Sequence, residues 1–267
     1  MGTRHGVQDA KNLARCREQA NEGKPKHHGK GNKLRFDSVS HDHQTEPNQK
    51  KGVKQMLHLS KGNKKLVPND KVKFLIWSLP PISTCPFATE LCKKFCYAMK
   101  AYRAYPNARN AWSENLEESR KWDFVPKMIL EITKELERPS VKKAKVLVVR
   151  IHESGDFYSK EYAKAWMKIA SYFVGYAPNK VKFMAYTKSI EYFEDETIPE
   201  NMTVRFSLWS DTKEEQKALA EKMGLPIYTA VEEFTTESKR ERCGCIDCGK
   251  CCKCWNKSIE KLMCEIH

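Results

Sequence analysis

From residue 71 onwards, short apolar runs alternate with amphipathic stretches. Residues 71–79 (KVKFLIWSL) form an apolar run halted by Pro80-Pro81, since proline brings no N–H to a strand ladder. Residues 99–121 space Tyr102, Tyr105, Trp112 and Leu116 as a helix would, with a break near Pro106. Residues 124–136 (FVPKMILEITKEL) predict a clearer amphipathic helix. The pattern then repeats: strand 145–151 (KVLVVRI), helix 159–173 with Tyr162, Trp166 and Ile169 on one face, and strand 181–186 (VKFMAY). Strand 202–208 (MTVRFSL), helix 213–223 closed by Gly224, and strand 226–231 (PIYTAV) complete it.

Alternating strands and helices imply a parallel sheet with right-handed crossovers. The fold class expected is α/β, an open or partial (β/α) barrel with mostly parallel strands. Residues 1–50 are rich in Gly, Lys, His and Asn without sustained periodicity and read as disordered. The expected division is a disordered basic tail (1–68), the barrel domain (69–241) and a cysteine-rich, metal-binding module (242–267).

In parallel α/β folds, active centres lie at the carboxyl ends of the strands. Here every strand exits into polar residues. The second runs into RIHESGDF and the third into YTKS; the fourth runs into SLWSD and the fifth ends near Tyr228-Thr229. His152 is a candidate acid/base, or else a satisfied structural histidine. Glu153 and Asp156 are candidates for catalysis or ligand orientation, although an acidic residue after a strand also caps the next helix. Lys188 is placed to hold a carboxylate or phosphate. Ser154, Gly155, Tyr186, Ser207 and Asp211 are candidate cofactor-binding positions, Gly155 by allowing close backbone approach.

The first strand exits into thiols. STCPFATELCKKFCYA brings Cys85, Cys92 and Cys96 together in a Cys-x6-Cys-x3-Cys loop. The chain has 11 cysteines. With no apolar export signal at its start, it reads as cytoplasmic, where clustered thiols are metal ligands before they are disulfides. Three thiolates can hold three irons of a [4Fe–4S] cubane and leave the fourth open, the vacancy that distinguishes catalytic from structural metal sites. Near the C-terminus, Cys245, Cys248, Cys251 and Cys254 repeat at x2 spacing, a ferredoxin-like pattern for a second cluster, with zinc as the alternative. Cys243, Cys252 and Cys264 are spare candidates. A single closed site joining the two cysteine groups is also open.

Charge adds a possible partner. The net charge is +14, and residues 1–70 hold 15 Lys/Arg against 7 Asp/Glu. Such a tail attracts nucleic acid, or is simply a solvated extension. Six of the eight histidines lie there without metal-ligand spacing. No apolar run is long enough to span a membrane.

In its three-cysteine loop after the first strand, with Phe95 before the last cysteine, the chain resembles the radical S-adenosylmethionine superfamily. It departs from the usual Cys-x3-Cys-x2-Cys spacing. A nearer resemblance, carried by STCPFATELCKKFCYA, RIHESGDFYSKEY, AYTKS, SLWSD, IYTA and the closing Cys-x2-Cys-Trp, is to the phage gene product 88 family, from about residue 77 onwards. That resemblance implies the domain and a viral or mobile-element origin, and no settled reaction. The functional expectation is an iron–sulfur enzyme using S-adenosylmethionine and a reductant protein, acting on a small molecule, a nucleotide or a nucleic-acid-related substrate. The alternative is a non-catalytic iron–sulfur or zinc protein that binds nucleic acid.

Overall fold

The computed structural model describes residues 57–233, 243 and 247–266. The tail up to residue 56, with five of its histidines, lies outside them, as do Cys245 and His267. Among the described residues the alternating pattern becomes a six-stranded sheet whose strands follow one another in chain order. They are β1 (Val72–Trp77), β2 (Val146–Ile151), β3 (Val181–Thr187), β4 (Met202–Leu208), β5 (Ile227–Val231) and β6 (Lys261–Glu265). Every neighbouring pair is parallel, and the sheet curls into a half-barrel.

Side chains alternate between the two faces with the period of two that strands impose. One set, including Leu75, Trp77, Val149, Ile151, Phe183 and Val204, packs under helices α4 (Phe124–Leu136) and α6 (Lys160–Tyr176). The earlier helices are α1 (Glu90–Lys94), α2 (Tyr97–Ala104), α3 (Pro106–Ser119), and α5 (Pro139–Lys143) lies between α4 and α6. In α4 the buried positions are Phe124, Met128, Ile132 and Leu136, an unbroken i, i+4 stripe. Ser159 caps α6 by accepting from the Tyr162 N–H at 3.2 Å, so the helix begins where its apolar face begins. Burying a large side chain such as Phe124 or Phe183 contributes about 1.5–3 kcal/mol. The predicted break near Pro106 is a helix boundary: Tyr105 ends α2, and Pro106 occupies the first turn of α3, where no N–H is required.

The free edge of β1 is covered. Ser60 pairs antiparallel with Ile76 through two backbone hydrogen bonds of 3.0 and 2.7 Å, which blunts an otherwise exposed ladder. On the inner face, Phe74, Ile76, Val148 and Met184 pack with Leu66, Cys254 and Leu262. The ring of Trp255 stands edge-on to Phe74, centroids 5.8 Å apart.

The closing segment is bound closely to the sheet. It carries the short helix α8 (Cys248–Cys251), reached after α7 (Glu214–Lys222), then a 3-10 turn and β6. Arg205, fully buried on β4, holds it in place. Its Nε donates to the Cys254 carbonyl at 2.8 Å and Nη1 to Ile259 at 2.7 Å; Nη2 donates to Lys253 at 3.0 Å and Asn256 at 2.8 Å. β6 was not expected as a strand, because KLMCE has neither clear alternation nor a long apolar run. Partners on β5 and the Arg205 anchor create it.

Candidate functional site

The loop after β1 is shaped by its own backbone. Ile82 adopts a left-handed conformation at φ 67°. The Thr84 hydroxyl donates to the Pro80 carbonyl at 2.7 Å, and the Cys85 N–H donates to Ile82 at 3.0 Å. Thr89 caps α1 by accepting from Cys92 N–H at 3.3 Å. The Leu91 N–H donates to Asp211 Oδ2 at 2.8 Å, tying the cysteine loop to the exit of β4. Asp211, held below its ordinary value by hydrogen bonds from Leu91 and Thr89 that outweigh its burial, thus anchors the loop.

The exit of β2 turns sharply. The N–H groups of His152 and Glu153 both donate to the Trp77 carbonyl, at 3.0 and 3.2 Å. Gly155 follows at φ +82°, with the place of its missing Cβ 2.6 Å from Thr84 Oγ1 and 2.7 Å from Leu79 Cβ. Only glycine lets the two loops approach this closely. The turn delivers Asp156, which is buried and accepts from Thr187 Oγ1 at 2.5 Å, Phe157 N–H at 2.7 Å and Lys188 N–H at 3.0 Å. Lys188, also buried, donates through Nζ to the Ser207 carbonyl at 2.8 Å and lies over the Trp209 ring at 5.6 Å.

These groups share one electrostatic environment. Burial pushes the Cys85 thiol up to about 12, reinforced by Asp156 and by the neighbouring thiols Cys92 and Cys96. Burial raises Cys92 to about 11, with Lys188 pulling the other way. Burial also lowers Lys188 to about 8 and raises Asp156 to about 6, the latter against its three hydrogen bonds. An acid and a base are therefore poised on either side of neutrality beside three thiols.

The other candidates lie elsewhere. His152, at φ 66°, turns into the aromatic core, where Nε2 bonds to the Tyr162 hydroxyl at 3.0 Å and the ring meets Phe157 edge-on. Burial depresses its pKa to about 3, so the imidazole is neutral at ordinary pH. This group binds a proton in the unfolded chain below about 6.5 but not in the folded one until about 3. Its contribution to stability is present above that window and lost as the pH falls through it, approaching about 1.4 kcal/mol per pH unit. Asparagine tolerates the left-handed backbone. In urea unfolding at pH 7, 5.5 and 4.5, His152→Asn is expected to flatten the acid loss of stability relative to the wild type; an unchanged slope would refute this.

Glu153 accepts from Asn63 Nδ2 at 2.5 Å and, through its carbonyl, from the Tyr97 hydroxyl. Its role here is to fix the loop. Ser154 keeps a buried hydroxyl with no partner among the described residues, while its carbonyl accepts from Leu79 N–H at 2.9 Å. Ser207 contributes its carbonyl.

Tyr186 belongs to a second thiol group, on the inner face. Its hydroxyl donates to Cys254, that of Tyr228 donates to Cys264, and the two rings lie 4.5 Å apart. Cys254 in turn bonds to Cys243, and Cys243 acts electrostatically on Cys248. Of the x2 repeat, Cys248 and Cys254 are thus joined by Cys243 and Cys264. Cys251 lies beside Cys248, and the Cys252 thiol donates to the Gly249 carbonyl at 3.3 Å. Among the described residues, no three His, Cys, Asp or Glu side chains converge as the ligands of a single ion do.

Arg150, Arg205, Thr187 and Tyr228 carry these two sites and were not among the candidates. A visible signal was the basic residue in each of the apolar strands VLVVRI and MTVRFSL.

The family model described as Gene product 88 matches residues 56–257, which hold the rim residues and Cys243, Cys248 and Cys254 of the inner group; Cys264 lies beyond the match. The chain belongs to this family. Among curated relatives, the "Gene 88 protein" of Mycobacterium phage D29 is 32% identical over 107 residues, covering 39% of this chain and 42% of its own length. The "Gene 88 protein" of Mycobacterium phage L5 is 32% identical over 111 residues, covering 39% and 43%. The matched stretch thus spans less than half of either relative. No solved structure matches the chain. The comparisons support the gene product 88 relationship, and the radical S-adenosylmethionine resemblance draws no support from them.

Proposed function

We propose that this member of the gene product 88 family is an iron–sulfur enzyme, with a cluster held by Cys85, Cys92 and Cys96 at the rim of the half-barrel. The observation that carries this reading is three thiols of one loop sharing a rim with buried Lys188 and Asp156, both shifted towards neutrality. The thiolates of a cubane are bound by different irons, so they stand farther apart than ligands on one zinc ion. Three thiols of one loop that influence one another could supply three of its ligands.

A cluster with one open iron supplies electron transfer to a cofactor bound there, S-adenosylmethionine in the superfamily whose cluster loop is similarly placed. The protein's own residues do the rest. Lys188 holds an anionic group, such as a substrate carboxylate or the phosphate of a nucleotide. Asp156 accepts or returns a proton near pH 6. Burial of both excludes water and strengthens each interaction.

Anaerobic reconstitution with iron and sulfide should give thiolate-to-iron charge-transfer absorption that Cys85→Ser, Cys92→Ser and Cys96→Ser each abolish. After reduction, the reconstituted protein should cleave S-adenosylmethionine to 5′-deoxyadenosine. Lys188→Met should retain the cluster and lower turnover by about 100-fold, the usual scale for a positioned acid–base or charged group. A rim cluster with no cleavage would remove the S-adenosylmethionine assignment. Absence of a rim cluster would remove the enzyme reading and leave a structural protein.

A further inference from the structure

The inner face holds a problem of charge. Arg205 is fully buried, and its partners are four neutral carbonyls. Arg150, on β2 across β3 from β4, is only half-buried: its Nη2 donates to the Tyr97 hydroxyl at 3.2 Å, its Nε has no partner among the described residues, and its guanidinium faces the Tyr186 ring at 5.6 Å. Neither guanidinium forms an ion pair with a carboxylate among the described residues. A buried cation calls for a compensating anion, since dipoles alone rarely offset its desolvation.

The groups next to these arginines are thiols. Cys254 supplies one of the carbonyls that Arg205 binds and is itself buried. Cys264 stands on β6 in register with Ala230. Cys248 opens α8, its N–H donating to the Lys65 carbonyl at 2.8 Å, and the Cys243 N–H donates to Met263 at 2.5 Å. Four separate points of the chain are thus neighbours: Cys254 hydrogen-bonds to Cys243, and Cys243 acts electrostatically on both Cys248 and Cys264. Two of the sulfurs receive tyrosine hydroxyls, from Tyr186 and Tyr228. Donors aimed at sulfur are what surrounds a thiolate ligand, and here they also satisfy two buried tyrosine hydroxyls.

We propose that Cys243, Cys248, Cys254 and Cys264 form a closed four-thiolate site for a thiophilic metal centre, a zinc ion or an iron–sulfur cluster, with Arg150 and Arg205 balancing its charge. Four thiolates around Zn²⁺, or around an oxidised cubane, leave a net negative charge, which would compensate the buried Arg205 guanidinium, whose bonded partners are all neutral carbonyls. Binding draws the sulfurs inwards from their hydrogen-bonded positions and releases their protons. The site fastens β6 and α8 across the inner face. It is independent of the rim centre, sharing none of its cysteines.

Metal, iron and acid-labile sulfide are counted per chain on protein purified anaerobically. In a Cys85→Ser/Cys92→Ser/Cys96→Ser background, where no rim cluster remains, one zinc ion or one cluster is expected to stay bound; the sulfide count tells which. Adding Cys243→Ser or Cys264→Ser should remove it, whereas Cys251→Ser or Cys252→Ser should leave it. Loss on Cys251→Ser with retention on Cys264→Ser would overturn the proposal in favour of the x2 repeat. So would an empty rim-null protein that is still folded. Because cysteine variants can fail to fold, the wild-type chain supplies a second readout. Alkylation followed by peptide mass mapping should show Cys243, Cys248, Cys254 and Cys264 protected together and exposed together when a chelator strips the metal. Exposure of these four unchanged by the chelator would also overturn it.

Discussion

Replacing Arg205 by methionine is expected to lower the melting temperature by about 10 °C or more, and to make the chain after residue 233 the first target of limited proteolysis. The change deletes four charge-assisted donors and leaves the carbonyls of Lys253, Cys254, Asn256 and Ile259 without their buried partner. A hydrogen bond to a charged group is worth about 1.5–3 kcal/mol net, and an abandoned buried acceptor costs about 1–3 kcal/mol. Even with strong non-additivity, about 4 kcal/mol follows, and each kcal/mol moves the midpoint of a domain of this size by roughly 2–4 °C. Methionine keeps much of the stem's volume, so the loss isolates the donors. A melting point within about 2 °C of wild type would show that the sheet holds the closing segment without Arg205.

The Gly155→Ala variant should be destabilised by about 3 kcal/mol and should also disturb the rim. Two costs add at this position. The backbone at φ +82° is one that L side chains rarely adopt, worth about 1–3 kcal/mol. The new methyl would also lie 2.6 Å from Thr84 Oγ1 and 2.7 Å from Leu79 Cβ, so the loops after β1 and β2 must part. Gly224 is the natural control: its φ is +61°, but nothing lies within 4 Å of its missing Cβ. Gly224→Ala therefore carries strain alone, about 1–2 kcal/mol. The separation also predicts that Cys85, next to Thr84, becomes more reactive towards alkylating reagents in Gly155→Ala and stays unchanged in Gly224→Ala. Equal losses in the two variants would mean that the close approach contributes nothing.

The two variants test different levels of one design. Gly155 fixes how two strand exits meet, which places Asp156 against Thr187 and Lys188. Arg205 fixes what lies inside the half-barrel. The first concerns the geometry of the rim, the second the attachment of the inner thiols.

Much of this architecture was legible beforehand because it is local. Strand β4 matches its apolar run residue for residue, and the helices under the sheet follow the 3.6-residue spacing of Phe124, Met128, Ile132 and Leu136. The location of Cys85, Cys92, Asp156 and Lys188 at one rim followed from strand direction alone. His152 shows the limit. As the histidine at a strand exit it was a reasonable acid/base candidate, yet a single positive φ turns its ring into the Tyr162 core.

The sequence by itself determined the succession of the first five strands and the helices between them, the helix faces and the presence of thiols after β1, since each depends on residues within a turn or a strand of one another. Only the tertiary structure decided which polar side chains share an environment. It separated Tyr186 from Lys188 although they are two residues apart, because Tyr186 is still within β3, where its hydroxyl meets Cys254, while Lys188 lies beyond the strand's end, where its Nζ reaches the Ser207 carbonyl. It also brought Cys243 and Cys264 to Cys248 and Cys254, a grouping fixed by Arg205 and by β5–β6 pairing, and one that spacing along the chain does not encode.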